Sequence, residues 1–170
     1  MNFLARHTCI LSVYANARGF GFALFEGHLA PIDWGIVEVR GENRNRECVS
    51  RVSALFGRYA PAALVIRDVS GRVPRRIRNL NEAIITLAET QGISICAYSR
   101  AQVRHCFEHL GAPTKQYIAE VIAKHIPAFE RYVPPVRKLW DSEHPRMGLF
   151  DAAALALTFF REQSGQLSVI

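Results

Sequence analysis

The stretch "ILSVYANARGFGFALFEG", residues 10–27, decides the fold. Residues 9–15 are short and mostly apolar, the pattern of a buried central strand. Gly19 and Gly21 flank Phe20 and begin a second apolar run, Phe20–Phe25, so the residues between read as a short turn. Gly27 and His28 make another turn. Residues 29–39, "LAPIDWGIVEV", then give a third strand with Pro31 near its start. Connections this short predict an antiparallel meander. Tyr14 stands within the first strand.

Downstream, Cys48, Val49, Val52, Leu55, Phe56 and Tyr59 recur at helical spacing, opposite a face that carries Arg44, Arg46, Arg51 and Arg58. Pro61 ends that helix. Residues 62–69, "AALVIRDV", read as a buried strand. The loop "SGRVPRR" leads into a helix over Ile77–Gln91, stopped by Gly92. Residues 93–99 give a fifth strand and residues 100–110 a helix ending at Gly111. Thr114 caps another helix that runs to about Pro127. Residues 128–146 hold Pro134, Pro135 and Pro145 and are expected to be irregular. A last helix, about 149–163, is apolar on most sides and so must be largely buried. The order is β-β-β-α-β-α-β-α-α-α, with strands that flank helices running parallel through right-handed crossovers.

A chain of 170 residues suits one domain, 1–170. Its 49% hydrophobic and 21% charged residues exclude a disordered tail. The net charge of +6 suits either a polyanionic partner or a basic surface kept for solubility. Cys9, Cys48, Cys96 and Cys106 form no CxxC pair and read as reduced thiols, which points to a cytoplasmic protein. His105 and His109, one turn apart around Cys106, lack the further ligands of a zinc site. Arg6 and His7 interrupt the N-terminal apolar stretch, so no signal-peptide core is expected. The longest apolar run, Met147–Phe160, contains Asp151 and is too short for a bilayer, so no membrane is expected as a partner.

These residues, taken in order, resemble the RuvC family of Holliday-junction resolvases. The strand and turn "ILSVYANARGFGFAL" is similar to that family's first strand, its Arg-containing turn and its Gly-aromatic-Gly run, with Arg18, Gly21 and Phe22 in place. "ALVIRDV" resembles the strand that carries the family's Glu. Residues 75–122 resemble the following helix, strand and paired helices, including the small-residue–Lys step at Thr114-Lys115. "FDAAALALTFF" is similar to the closing helix. The resemblance implies an α/β, ribonuclease H-like fold: a five-stranded mixed sheet, its first three strands antiparallel, flanked by helices.

The family cuts phosphodiester bonds with two divalent ions held by four carboxylates, one on the first strand, one on the fourth and two on the last helix. Carried over by position, the first acid falls on Tyr14. The second falls on Arg67, or on Asp68 after a slip of one residue, which would reverse the strand face. The third falls on Gly148, and Asp151 alone keeps its type. Asp68 and Asp151 are thus the remnant catalytic positions. The sequence leaves open whether Arg67 or Asp68 faces inward; an inward Arg67 is expected to pair with Asp151 in place of an ion. Arg72, Arg75, Arg76, Arg78 and Lys115 are expected to contact DNA phosphate. The helix around Leu80–Ala88 is either the homodimer contact that the resemblance implies or simply core.

Three functions remain open. The first is a catalytically impaired protein that binds branched or four-way-junction DNA without a cofactor. The second is an active, divergent endonuclease using Mg²⁺ or Mn²⁺ on Asp68, Asp151 and Glu143. The third is a protein-interaction module on a resolvase-like fold.

Overall fold

The computed structural model describes residues 8–165 and 168–170; the reading of Arg6 and His7 lies outside them. Five strands form one sheet: β1 (Ile10–Ala15), β2 (Gly19–Gly27), β3 (Ala30–Glu38), β4 (Ala63–Arg67) and β5 (Ser94–Tyr98), in the order β3-β2-β1-β4-β5. β1 pairs antiparallel with β2, and β2 with β3; β1–β4 and β4–β5 are parallel. The expected topology is the observed one. The meander begins at a tight turn in which the Asn16 side chain accepts from the Arg18 and Gly19 amides, while the Asn16 amide donates to the Gly19 carbonyl.

Strand alternation divides the sheet into two faces. Leu11, Val13, Leu64 and Ile66 face α1 (Arg44–Tyr59) and α2 (Arg75–Thr90), where they meet Val52, Phe56, Leu80 and Ile84. Leu80, Ile84 and Ala88 are therefore buried in the chain's own core. Ile85 and Leu87 on the same helix pack against this core but stay partly exposed. Ile10, Val65 and Ala23 face the opposite layer, built from α3 (Arg100–Phe107), α4 (Lys115–His125) and α5 (Met147–Ser164). Nearly every residue of α5 from Met147 to Thr158 is buried, which accounts for its apolar character on all sides.

Two boundaries differ from expectation in ways that bear on function. β4 ends at Arg67, so Asp68 and Val69 lie in the loop. α5 begins at Met147 and takes Gly148 into its first turn. The segment expected to be irregular opens with a 3-10 helix, Pro127–Tyr132, before an extended loop over 133–146. No helix among the described residues is long and apolar enough to cross a membrane.

Candidate functional site

The parallel register pairs Val13 with Ile66, so the next residues, Tyr14 and Arg67, stand side by side at the C-terminal ends of the two central strands. Both are on the face covered by α5. Arg67 lies over the Tyr14 ring, its guanidinium carbon 4.4 Å from the ring centroid, and donates to the Ala15 carbonyl at 2.8 Å. Burial raises the Tyr14 hydroxyl above its usual range, with the Asp151 carboxylate adding to the effect, so the phenol stays neutral.

Lys115 comes from the first turn of α4, where the Thr114 side chain accepts from the Tyr117 amide and fixes the helix start. Its Nζ lies 5.2 Å from the Tyr14 ring centroid. It donates to Glu143 Oε1 at 2.8 Å and to Asp151 Oδ2 at 3.1 Å. The ion pair expected between Arg67 and Asp151 is thus made by Lys115 instead. Arg67 does face inward, but its guanidinium is engaged by Tyr14 and the Ala15 carbonyl.

The Lys115 and Asp151 side chains are only 23% and 10% exposed, which makes this pair a buried one on one side and screened little by water. Burial drives the Asp151 carboxyl up to about 6, against the pull of Lys115. Burial also opposes the Lys115 charge, but the carboxylates outweigh it and hold the ammonium above its usual range. At neutral pH the site is therefore a lysine cation bridging two carboxylates.

The other acid positions named from the resemblance make no bond to them, although Asp68 lines the same cavity as Tyr14, Arg67, Lys115 and Asp151. Asp68 is exposed, and its carboxylate accepts from the Ser70 amide and hydroxyl, both at 2.8 Å. These bonds hold its pKa below the usual value. It closes a turn at the strand end. Gly148 sits where α5 crosses β2. A Cβ there would lie 3.5 Å from Gly21 Cα, an ordinary contact, and 2.9 Å from Asn16 Nδ2, a side-chain end that would have to shift.

The arginines after β4 have different fates. Arg72 and Arg75 are exposed, while Arg78 donates to the Gly71 carbonyl. Arg76 is partly buried; it donates to Asn45 Oδ1 on α1 and to the Asn16 carbonyl, tying α2 to α1 and to the first turn. R76A should therefore lower stability to urea by about 2 kcal/mol, as expected for losing charged hydrogen bonds. R72A should leave it unchanged, and equal effects would mean that Arg76 makes no internal bonds.

Three further arginines, which the sequence reading passed over, face the site. Arg100 and Arg104 are exposed on α3, one turn apart, and with Lys115 they line a cavity of about 70 Å³ beside Tyr14 and Asp151. They also line an open groove of about 670 Å³ together with Arg137. The i, i+4 spacing of Arg100 and Arg104 is legible in the sequence, but nothing there aims α3 at the site.

A pair of divalent ions, which the ribonuclease H-like fold would imply, needs several carboxylates around one small volume. Here Asp151 and Glu143 converge, and both already hold the Lys115 ammonium. A phenol and a guanidinium fill the adjoining strand positions. Among the described residues no three metal-ligating side chains gather. The residues present do not fit a two-ion centre.

No family model matches the chain, and no curated protein does. Solved structures do. The RuvC structure of Thermus thermophilus superposes with a TM-score of 0.64 at 20% identity, covering 93% of this chain and 97% of that one. The fold is that of RuvC. A second structure, T. thermophilus RuvC in complex with Holliday junction substrate, gives a TM-score of 0.68 at 18% identity, covering 94% and 98%. The RuvC-like fold thus extends over nearly the whole chain, with the Tyr14–Arg67–Lys115–Asp151 cluster at the ends of its two central strands.

Proposed function

We propose that this chain binds branched DNA on a RuvC-like fold, four-way junctions among them, and that it is impaired in phosphodiester cleavage. The observation that carries the reading is Lys115 Nζ bonded to both Asp151 and Glu143. A tethered cation neutralises the two carboxylates that would otherwise recruit an ion. The groove beside it presents Arg100, Arg104 and Arg137, whose forked guanidiniums suit phosphate. Arg72 and Arg75 extend the same charge after β4. The RuvC neighbour solved with a Holliday junction supports the choice of nucleic acid over another polyanion. A homodimer through α2 is not part of this reading.

Two measurements test it. Binding of a labelled four-way junction should weaken steeply with salt, with log K against log[salt] sloping at about −4 for four or five phosphate contacts. A flat response would remove the phosphate groove. The same junction incubated with Mg²⁺ or Mn²⁺ should stay intact. Cleavage abolished by Asp151→Asn would overturn the impaired reading in favour of an active endonuclease. Absence of any binding would leave the fold as a protein-interaction module.

A further inference from the structure

The loop between the 3-10 helix and α5 carries the most exposed large apolar residues of the described chain. Leu139 is 98% exposed, Trp140 79% and Val136 78%. Leu139 and Trp140 occupy the tip of a tight turn. The Asp141 amide donates to the Lys138 carbonyl at 3.1 Å, and the Asp141 carboxylate accepts from the Lys138 amide at 3.2 Å. Turn tips normally carry glycine, proline, asparagine or aspartate. Here the closing residues are polar and the tip is a leucine and a tryptophan, left largely uncovered by the described residues.

The loop is held at both roots by consecutive residues of α4. Gln116 Nε2 donates to the Pro134 carbonyl at 2.9 Å on one side, and Pro134 is itself buried. Lys115 holds Glu143 on the other. Two residues lie between Trp140 and Glu143, and the three steps of chain span at most ~11 Å when extended. The indole is thus delivered within two or three nucleotide lengths of the Lys115 site. Cations outnumber acids around it: Lys138 Nζ lies 5.6 Å from the indole ring centroid, Arg137 is exposed two residues before Leu139, and Arg100 and Arg104 line the adjoining groove, against Asp141 in the turn and Glu143, which Lys115 already holds.

We infer that Trp140 is a base-stacking residue: it receives an unpaired or unstacked DNA base while Arg137 and Lys138 hold the flanking phosphates. An aromatic face set among cations fits a nucleobase on a polyanionic backbone, since every base offers a π-face and every phosphate a charge. A protein partner would have to bury Arg137 and Lys138 against acids of its own. This inference rests on the DNA-binding reading above and adds to it the class of DNA feature that is recognised.

The chain has two tryptophans, and the other, Trp34, packs edge-on against Phe129 with 5.1 Å between ring centroids. Intrinsic fluorescence can therefore be assigned. The full chain is titrated with three fluorescein-labelled DNAs: a plain duplex, a duplex with a two-base bulge, and a four-way junction. Affinity is read by anisotropy, and indole emission is followed with unlabelled DNA. W140A should weaken binding to the bulged duplex about tenfold and leave the plain duplex within twofold. W140F, which keeps a stacking face, should stay within about threefold of the unaltered chain. Bulged DNA should quench the emission of the unaltered chain and not that of W140F. Unchanged affinity in W140A, or quenching that persists in W140F, overturns the assignment alone. So does a dimer, seen by sedimentation, that W140A dissociates while DNA affinity holds; the tip would then serve a second copy. Failure of the unaltered chain to bind any of the three DNAs overturns both the assignment and the reading beneath it.

Discussion

Gly21→Ala should lower the melting temperature by about 10 °C. Gly21 lies on β2 directly opposite Tyr14, where α5 passes over the sheet. A Cβ at this position would overlap the carbonyl carbon and oxygen of Gly148 and lie 2.8 Å from the Leu149 nitrogen. These are backbone atoms of a buried helix and cannot rotate aside. The helix would have to lift, opening gaps along a surface that is buried from Met147 to Thr158. A forced shift of that kind costs about 3 kcal/mol, and each kcal/mol is worth 2–4 °C in a domain of this size. Gly27→Ala, on the same strand but with nothing within 4 Å of an added Cβ, should be neutral. Equal melting temperatures for the two variants would show that α5 does not press on β2 at this point.

Lys115→Met is the second large effect, and it depends on pH. The methionine keeps the packing of the lysine stem but removes the charge between Asp151 and Glu143. A buried carboxylate left without its partner costs about 3 kcal/mol. The sign follows from the Asp151 carboxyl, whose folded-state pKa is about 6 against 3.8 for the free group. A carboxyl raised on folding binds its proton more tightly in the folded state. Its ionisation therefore withdraws stability as pH rises from about 4 to 6, and Lys115 offsets that loss. Without Lys115 the folded-state pKa climbs further and the deficit above pH 6 grows. Lys115 itself is raised on folding, so its stabilisation is fully present below the ordinary lysine range and is lost only in strong alkali. Urea unfolding should thus show K115M destabilised by about 3 kcal/mol at pH 8. At pH 5, where Asp151 already holds its proton, the loss should fall below about 1 kcal/mol, the residue of a half-exposed Lys115–Glu143 pair. The same loss at both pH values would remove Asp151 from the interaction.

The fold was legible because its signals are local and repeated. Apolar runs of five to seven residues bounded by Gly19, Gly27 and Pro61 mark the strands, and the short links between the first three leave few arrangements other than a meander. Gly92, Gly111 and Gly165 each end a helix with positive φ. The candidate site was legible only in part. Strand periodicity placed Tyr14, and the observed end of β4 settles which of Arg67 and Asp68 turns inward, a matter of one residue that composition cannot decide. The partner of Asp151 was beyond sequence reasoning: Lys115 stands 36 positions away, and only the packing of α4 on α5 brings them within 3.1 Å. Arg76 was misread for a similar reason. The exposed Arg72 and Arg75 precede it in sequence, but its neighbours in space are Asn45 and the Asn16 carbonyl.

The contact between Gly21 and Gly148 also constrains how this protein could change over generations. The tolerance is one-sided. A Cβ on Gly21 meets the Gly148 carbonyl and the helix backbone behind it, whereas a Cβ on Gly148 meets Gly21 Cα at 3.5 Å and has only the Asn16 amide to displace. Substitution at this crossing is thus open from the helix side and closed from the strand side.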